Sequence, residues 1–192
     1  MSEAALLAQL RNNDPTACHT LVAWYGSMVY NTALGLVQNR EDSEDLAQEV
    51  FLTAFQSIGQ FRGEAKLSTW LYRIAVTKAL ACLRARQRKK RFAFVQSLFE
   101  PGSVRLVQDL PHFQHPGVLL ENRERAAILF NALDKLPEKQ KAAFVLHHLE
   151  ALPYADIAEV LQISLSAVEA LIFRAKRNLH RRLGDYYKKN EC

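Results

Sequence analysis

This sequence is poor in the residues that staple, anchor or break a fold. Its three cysteines, Cys18, Cys82 and Cys192, are odd in number and scattered, with no CxxC pair, so neither a disulfide framework nor a zinc knuckle is expected. No apolar run approaches the ~18 residues needed to cross a bilayer. The opening "MSEAALLAQLRNND" lacks a basic n-region and carries Glu3 early, against a secretory signal. A reducing, cytoplasmic setting follows as the expectation. Catalytic patterns are missing too: there is no P-loop and no nucleophile–base signature. His147 and His148 are adjacent, so on a helix they point about 100° apart and do not share a metal in the i, i+4 manner. His19 stands beside Cys18 without further ligands. No metal, cofactor, small-molecule substrate or enzymatic activity is expected.

Glycine (7) and proline (6) are scarce as well, and apolar residues recur at three- and four-residue steps almost throughout. "EDLAQEVFLTAFQSI" puts Leu46, Val50, Phe51, Ala54, Phe55 and Ile58 on one face. "ACHTLVAWYGSMVYNTALGLV" does the same with Leu21, Trp24, Tyr25, Met28, Val29, Thr32 and Leu36. "EAALLAQL" is a further amphipathic piece, ended by the turn-forming "RNNDP". No alternating run reads as a strand, and the class is all-α. Between about Phe92 and Leu120 the periodicity fades, and "FEPGSVRLVQDLPHFQHPG" carries three prolines and two glycines. This is read as a linker, with a short helical piece in "FAFVQSLF". Helical spacing resumes at "ENRERAAILFNALDKL".

The formal net charge of +5 favours an acidic partner. Its excess comes mainly from "RARQRKKR" (84–91) and the stretch from Arg174 to Lys189. The first run closes a helix that Ser68 or Thr69 can cap, starting at Trp70. Trp70, Arg73 and Thr77 share one face of it, while Leu71, Ile74 and Leu80 or Ala81 serve the core. Rings and cations side by side suit single-stranded nucleic acid, where bases stack and phosphates are neutralised. Core aromatics followed by a solvated basic helix end fit the same residues.

"LPYADIAEVLQISLSAVEALIFRAKRNLHRRL" is the most specific stretch. Pro153 suits a first helical turn. A helix from Tyr154 to Leu161 is expected to bury Ile157, Ala158 and Leu161, with Ala158 at a close crossing. Ser164 is a natural N-cap for a second helix that buries Val168 and Leu171 or Ile172. Ser166, Glu169, Ala170 and Arg174 then face outward. The spacing matches a helix-turn-helix, whose second helix enters the DNA major groove. An ordinary αα-hairpin has the same periodicity, but the following "RAKRNLHRR" puts cations where phosphates would lie. Gln162 occupies the turn position where glycine is common.

"NREDSEDLAQEVFLTAFQSIGQFRG", "STWLYRIAVTKALACLR" and "LPEKQKAAFVLHHLEALPYADIAEVLQIS" occur here in the order seen in extracytoplasmic-function (ECF) sigma factors of the sigma-70 family. The chain resembles that family over nearly its whole length except the linker. The resemblance implies two helical domains: a region 2 bundle at 1–93, a linker at 94–120, and a region 4 helix-turn-helix at 121–188. It implies an RNA polymerase sigma factor that directs core polymerase to promoters and assists −10 melting. Asp45, Gln48, Glu49 and Leu52 match the motif that docks on the β′ clamp helices, with the β flap as a second polymerase contact. An acidic amphipathic helix suits such a basic partner. "FRGEAKLST" resembles the loop that accepts a flipped base. Lys66, Trp70, Tyr72, Arg73, Thr77, Arg84, Arg86 and Arg88 are then implied in −10 DNA binding, and Ser164, Ser166, Ala167, Glu169, Ala170, Arg174, Lys176 and Arg177 in −35 binding. An anti-sigma factor is implied as a further partner.

Two departures from the family pattern stand out. Thr77 replaces the asparagine usual after "RIAV", and the usual "TVKSR" reads "AVEAL" from Ala167 to Leu171. Glu169 can accept from cytosine N4 or repel phosphate. Two rival readings remain: a stand-alone helix-turn-helix regulator, and a helical adaptor with no nucleic-acid role. The first leaves "DLAQEVF" and "TWLYRIA" unexplained. The second requires partner binding that survives neutralisation of the two basic stretches.

Overall fold

In the computed structural model, residues 2–99 and 123–190 are described, with the side chains of all but 93–99, 123–125 and 185–190. Eight α-helices follow one another among them: α1 (Glu3–Arg11), α2 (Pro15–Val37), α3 (Arg40–Ser57), α4 (Leu67–Phe99), α5 (Arg123–Asp134), α6 (Glu138–His148), α7 (Tyr154–Leu161) and α8 (Leu165–Asn190). A 3₁₀ turn, Ile58–Gln60, extends α3. There is no strand among the described residues.

Local chemistry sets most boundaries. Ser2, Asp14 and Asn39 cap α1, α2 and α3 through their side chains, and Pro15 takes the first position of α2. The start of α4 is different. Instead of beginning at Trp70 under a Ser68 or Thr69 cap, it begins at Leu67, whose N–H donates to the Glu3 carboxylate of α1 at 3.2 Å. The cap is tertiary, supplied from 64 residues away. At its other end α4 runs on through Phe99, so "FAFVQSLF" continues this helix and is not a separate piece.

The first four helices enclose one core of Leu6, Leu10, Leu21, Val29, Val50, Phe51, Leu67 and Leu71. One expectation for their faces fails: Trp24 is 45% exposed on α2; of the pair Leu80 or Ala81 on α4, Leu80 is the buried one. Helices α5, α6 and α8 share a smaller core around Phe130, Leu133 and Leu179. Between the two units lies a third cluster, which takes Leu36, Tyr72, Val76 and Leu80 from α2 and α4 and Val145, Leu146, Ile157, Val160, Val168 and Ile172 from α6–α8. The N-terminal and C-terminal helices are therefore packed on one another, through α2 against α6 and α4 against α7. Gly35 permits the closest approach: a Cβ there would lie 2.9 Å from Val145 Cγ1 and 3.2 Å from Leu149 Cδ1.

Most of the linker expected at 94–120 lies outside the described residues. The contact seen is made by the helices themselves.

Candidate nucleic-acid interface

Three surfaces carry the residues singled out from the sequence. The first is the outer face of α3. Because Leu46, Val50 and Ala54 turn inward, Asp45, Gln48 and Glu49 are exposed together, beside Leu52 at 57% exposure. The face is thus acidic, with one large apolar side chain exposed in it. Lys78 of α4 lies 3.3 Å from Glu49.

The second surface starts at the loop between the 3₁₀ turn and α4. Gln60, Phe61, Arg62 and Gly63 bound an open cleft of about 320 Å³, and Trp70 and Arg73 close its far side. Gly63 has φ 78, a backbone conformation costly for any side chain, so glycine is suited to this bend. The Phe61 and Trp70 rings lie 5.1 Å apart, and Arg11 donates to the Phe61 carbonyl at 2.8 Å, tying the loop to α1. The cleft thus offers a fixed ring and a guanidinium, the pair that a flipped base and its phosphate require.

Along α4 the expected residues divide. Trp70 and Arg73 are half-buried and Thr77 is exposed, but the Thr77 hydroxyl donates back to the Arg73 carbonyl at 2.7 Å. Arg84 and Arg88 are exposed, while Arg86 is paired with Asp42 of α3 and donates to the Val37 carbonyl. Tyr72 departs from the outward position expected of it. It is 8% exposed inside the cluster shared by the two units, and its hydroxyl donates to Glu150 at 3.1 Å. Burial beside that carboxylate pushes the phenol well above its ordinary range.

The third surface is α7–α8. Helix α7 spans the residues expected of it, although Val160 is fully buried with Ile157, and Ala158 and Leu161 are only partly so. Pro153 sits just before the helix. Gln162 is left-handed at φ 54 and ψ 48, which is why glycine is common at this turn. Ser164 Oγ accepts from the Ala167 N–H at 3.2 Å, the expected cap. Of the two candidates, Ile172 is the buried one and Leu171 is partly buried. Ser166, Glu169, Arg174, Lys176 and Arg177 are exposed, with Ala167 and Ala170 at the edge of that face. Phe173, 65% exposed on the same helix, was not singled out; its place between Ala170 and Arg174 was the available signal.

Away from these surfaces, the rings of His147 and His148 lie 4.6 Å apart. No cluster of three metal-ligating side chains occurs among the described residues.

A family model for sigma-70 region 2 matches residues 21–89, and one for sigma-70 region 4 matches residues 120–179. The RNA polymerase sigma-H factor of Pseudomonas aeruginosa is 31% identical over 93% of this chain and 92% of its own length. The ECF RNA polymerase sigma-E factor of Haemophilus influenzae is 31% identical over 95% and 96%.

The chain belongs to the ECF sigma factors of the sigma-70 family.

It is an RNA polymerase sigma factor; the region 2 match takes in most of α2, all of α3 and most of α4, and the region 4 match α5–α7 and the first part of α8. That of Escherichia coli named ECF RNA polymerase sigma-E factor is 30% identical over 92% of this chain. Two solved structures share the fold with a TM-score of 0.65: CnrH in complex with the cytosolic domain of CnrY (23% identity, 94% of this chain and 96% of that one), and the sigma factor RpoE in complex with the anti-sigma factor NepR from Bartonella quintana (18%, 86% and 96%). No helix among the described residues of the sigma factor is long and apolar enough to cross a membrane.

Proposed function

We propose that this sigma factor divides its work among the three surfaces just described. The exposed acidic face of α3, with Asp45, Gln48, Glu49 and Leu52, docks on the β′ clamp helices of core polymerase, and region 4 adds a contact to the β flap. The cleft at Gln60–Arg73 takes a flipped base of the −10 element. Trp70 stacks, Arg73 holds the adjoining phosphate, and Lys66, Arg84 and Arg88 neutralise the strand beyond it. Helix α8 enters the major groove at the −35 element: Ser166, Glu169 and Ala170 face base edges, while Arg174, Lys176 and Arg177 meet phosphate. Regions 2 and 4 occupy 1–93 and 121–188, with 94–120 between them. Two modest DNA contacts joined by the tether and the polymerase scaffold then act as one strong contact. The protein works in the cytoplasm, performs no chemistry itself, and is held in check by an anti-sigma factor covering its polymerase-binding face.

The observation that carries this reading is the cleft, in which a ring and a guanidinium converge beside a glycine bend on the matched region 2 segment. Run-off transcription from genomic fragments, with core polymerase and with or without the sigma factor, tests it. Defined start sites are expected, and are expected to vanish with Gln48→Ala plus Glu49→Ala. Specific duplex protection by the protein alone, with no new start sites from polymerase, would sink the reading.

A further inference from the structure

Helix α1 lies outside the segment matched as sigma-70 region 2, which begins at residue 21. Yet its first and last residues grip the two ends of the loop that bounds the Gln60–Arg73 cleft. Arg11 donates to the Phe61 carbonyl at 2.8 Å, and the Glu3 carboxylate accepts from the Leu67 N–H at 3.2 Å. The Tyr25 hydroxyl of α2 donates to the same carboxylate at 3.3 Å, so Glu3 is braced by a second helix. Phe61 and Leu67 are buried in the same core as Leu6 and Leu10 of α1. The loop between them is otherwise loosely held. Residues 62–64 are exposed, and among the described residues no backbone hydrogen bond involves 62–65. The Arg62–Glu64 pair, with both side chains at least 80% exposed, adds little. Such a segment takes its shape from its two ends and from the bend at Gly63.

We infer that Arg11 and Glu3 are positioning residues for base capture: α1 holds the two ends of the loop in place and so fixes the cleft before the base arrives. This rests on the reading that the cleft takes a flipped base. Extruding a base from the stack is unfavourable, and a cleft already in shape loses none of its binding energy to ordering a loop. The Glu3 bond also fixes the start of α4 at Leu67, three residues before Trp70 and six before Arg73. Both α1 side chains act through the loop and the helix, and neither touches DNA.

The test uses holoenzyme assembled from core polymerase and the full chain. Its probe is a fork-junction DNA built on a start site found by run-off transcription, with the −10 strand single, beside a set of forks each abasic at one −10 position. Wild type should bind the intact fork about tenfold tighter than the fork abasic at the captured position. Arg11→Ala should lose part of that preference, and Arg11→Ala with Glu3→Ala most of it. The double variant should bind the intact fork about tenfold more weakly, as when the competent loop shape falls from nearly all to about a tenth of the population. It should bind the abasic fork as wild type does. Arg11→Lys and Glu3→Gln, which keep a donor and an acceptor, should retain the preference. A purely structural role for α1 predicts equal weakening on both forks, and that result overturns the inference. If wild type prefers no intact position, the cleft captures no base and the reading beneath the inference fails. If wild type discriminates and the double variant discriminates equally, only the role of α1 fails.

Discussion

Gln162 should be a residue at which removing a side chain stabilises the protein. It ends α7 in the left-handed conformation, with φ 54 and ψ 48, and its N–H closes onto the Ala158 carbonyl. Ile163 N–H bonds the same carbonyl at 3.1 Å. For a residue with a Cβ this backbone costs roughly 1–2 kcal/mol. Glycine escapes that cost but gives up about 0.5–1 kcal/mol through its freer unfolded chain. Because the Gln162 side chain is exposed, nothing in the core is lost with it. Gln162→Gly should therefore gain about 0.5–1 kcal/mol, or roughly 1–4 °C in the melting midpoint of a chain of this size. Gln162→Val should move the other way by a similar amount, since a β-branched side chain is least tolerated in this region. Calorimetry on the three proteins supplies the readout, with run-off transcription unchanged because the turn keeps its shape. A midpoint that falls in Gln162→Gly would refute the reasoning, as would a Val variant more stable than wild type.

Other consequences follow from the contacts. Burial holds the Glu150 carboxyl above its ordinary 4.5, with the hydroxyls of Tyr72 and Thr32 pulling it back. A group raised in the packed state favours that state fully below its ordinary value, and the contribution is lost as pH rises through the raised one. Closure of region 4 on region 2 should thus tighten on the acid side and weaken above about pH 4–5; Glu150→Gln should flatten that profile in a distance measurement across pH. Glu3→Ala removes the tertiary cap of α4 and the partner of Tyr25, and should cost about 1 kcal/mol in denaturant unfolding, as lost caps do. Gln48→Ala with Glu49→Ala should leave stability within about 0.5 kcal/mol, because both are exposed, while abolishing polymerase-dependent start sites.

Helix by helix, the local part of this fold is legible in the chain. The bounds of α7, the Ser164 cap and the inward face of α3 all follow from spacing and short-range hydrogen bonding. The failures share a cause, which is contact between residues far apart in sequence. The start of α4 is displaced because Glu3 supplies a cap from another helix. Tyr72 reads as a surface ring on α4 alone and becomes interior only once α6 and α7 arrive. Trp24 fits a helical stripe by period, yet the packed helices leave it 45% exposed. Gln162 shows its conformational demand only through the glycine that is missing. For the candidate site, periodicity yields the exposed faces of α3 and α8. The cleft needs the folded loop, because Phe61 and Trp70 meet only through it.

The residues between the two regions are small where the backbones come nearest. Gly35 opposes Val145, and Ala33, Ala79, Ala142 and Ala143 belong to the same buried cluster. Small side chains let helices approach closely, yet each uncovers little apolar area when they part. Such a seam is demanding in shape, and its adhesion comes from the larger neighbours Leu36, Tyr72, Leu146 and Ile157 in the same cluster. Drift at these positions is therefore constrained by volume and by polarity alike: an added methyl group must be accommodated, and a buried hydroxyl must find a partner. Single changes in side-chain size along this seam would shift how tightly the two helical units pack, leaving the exposed faces of α3 and α8 untouched.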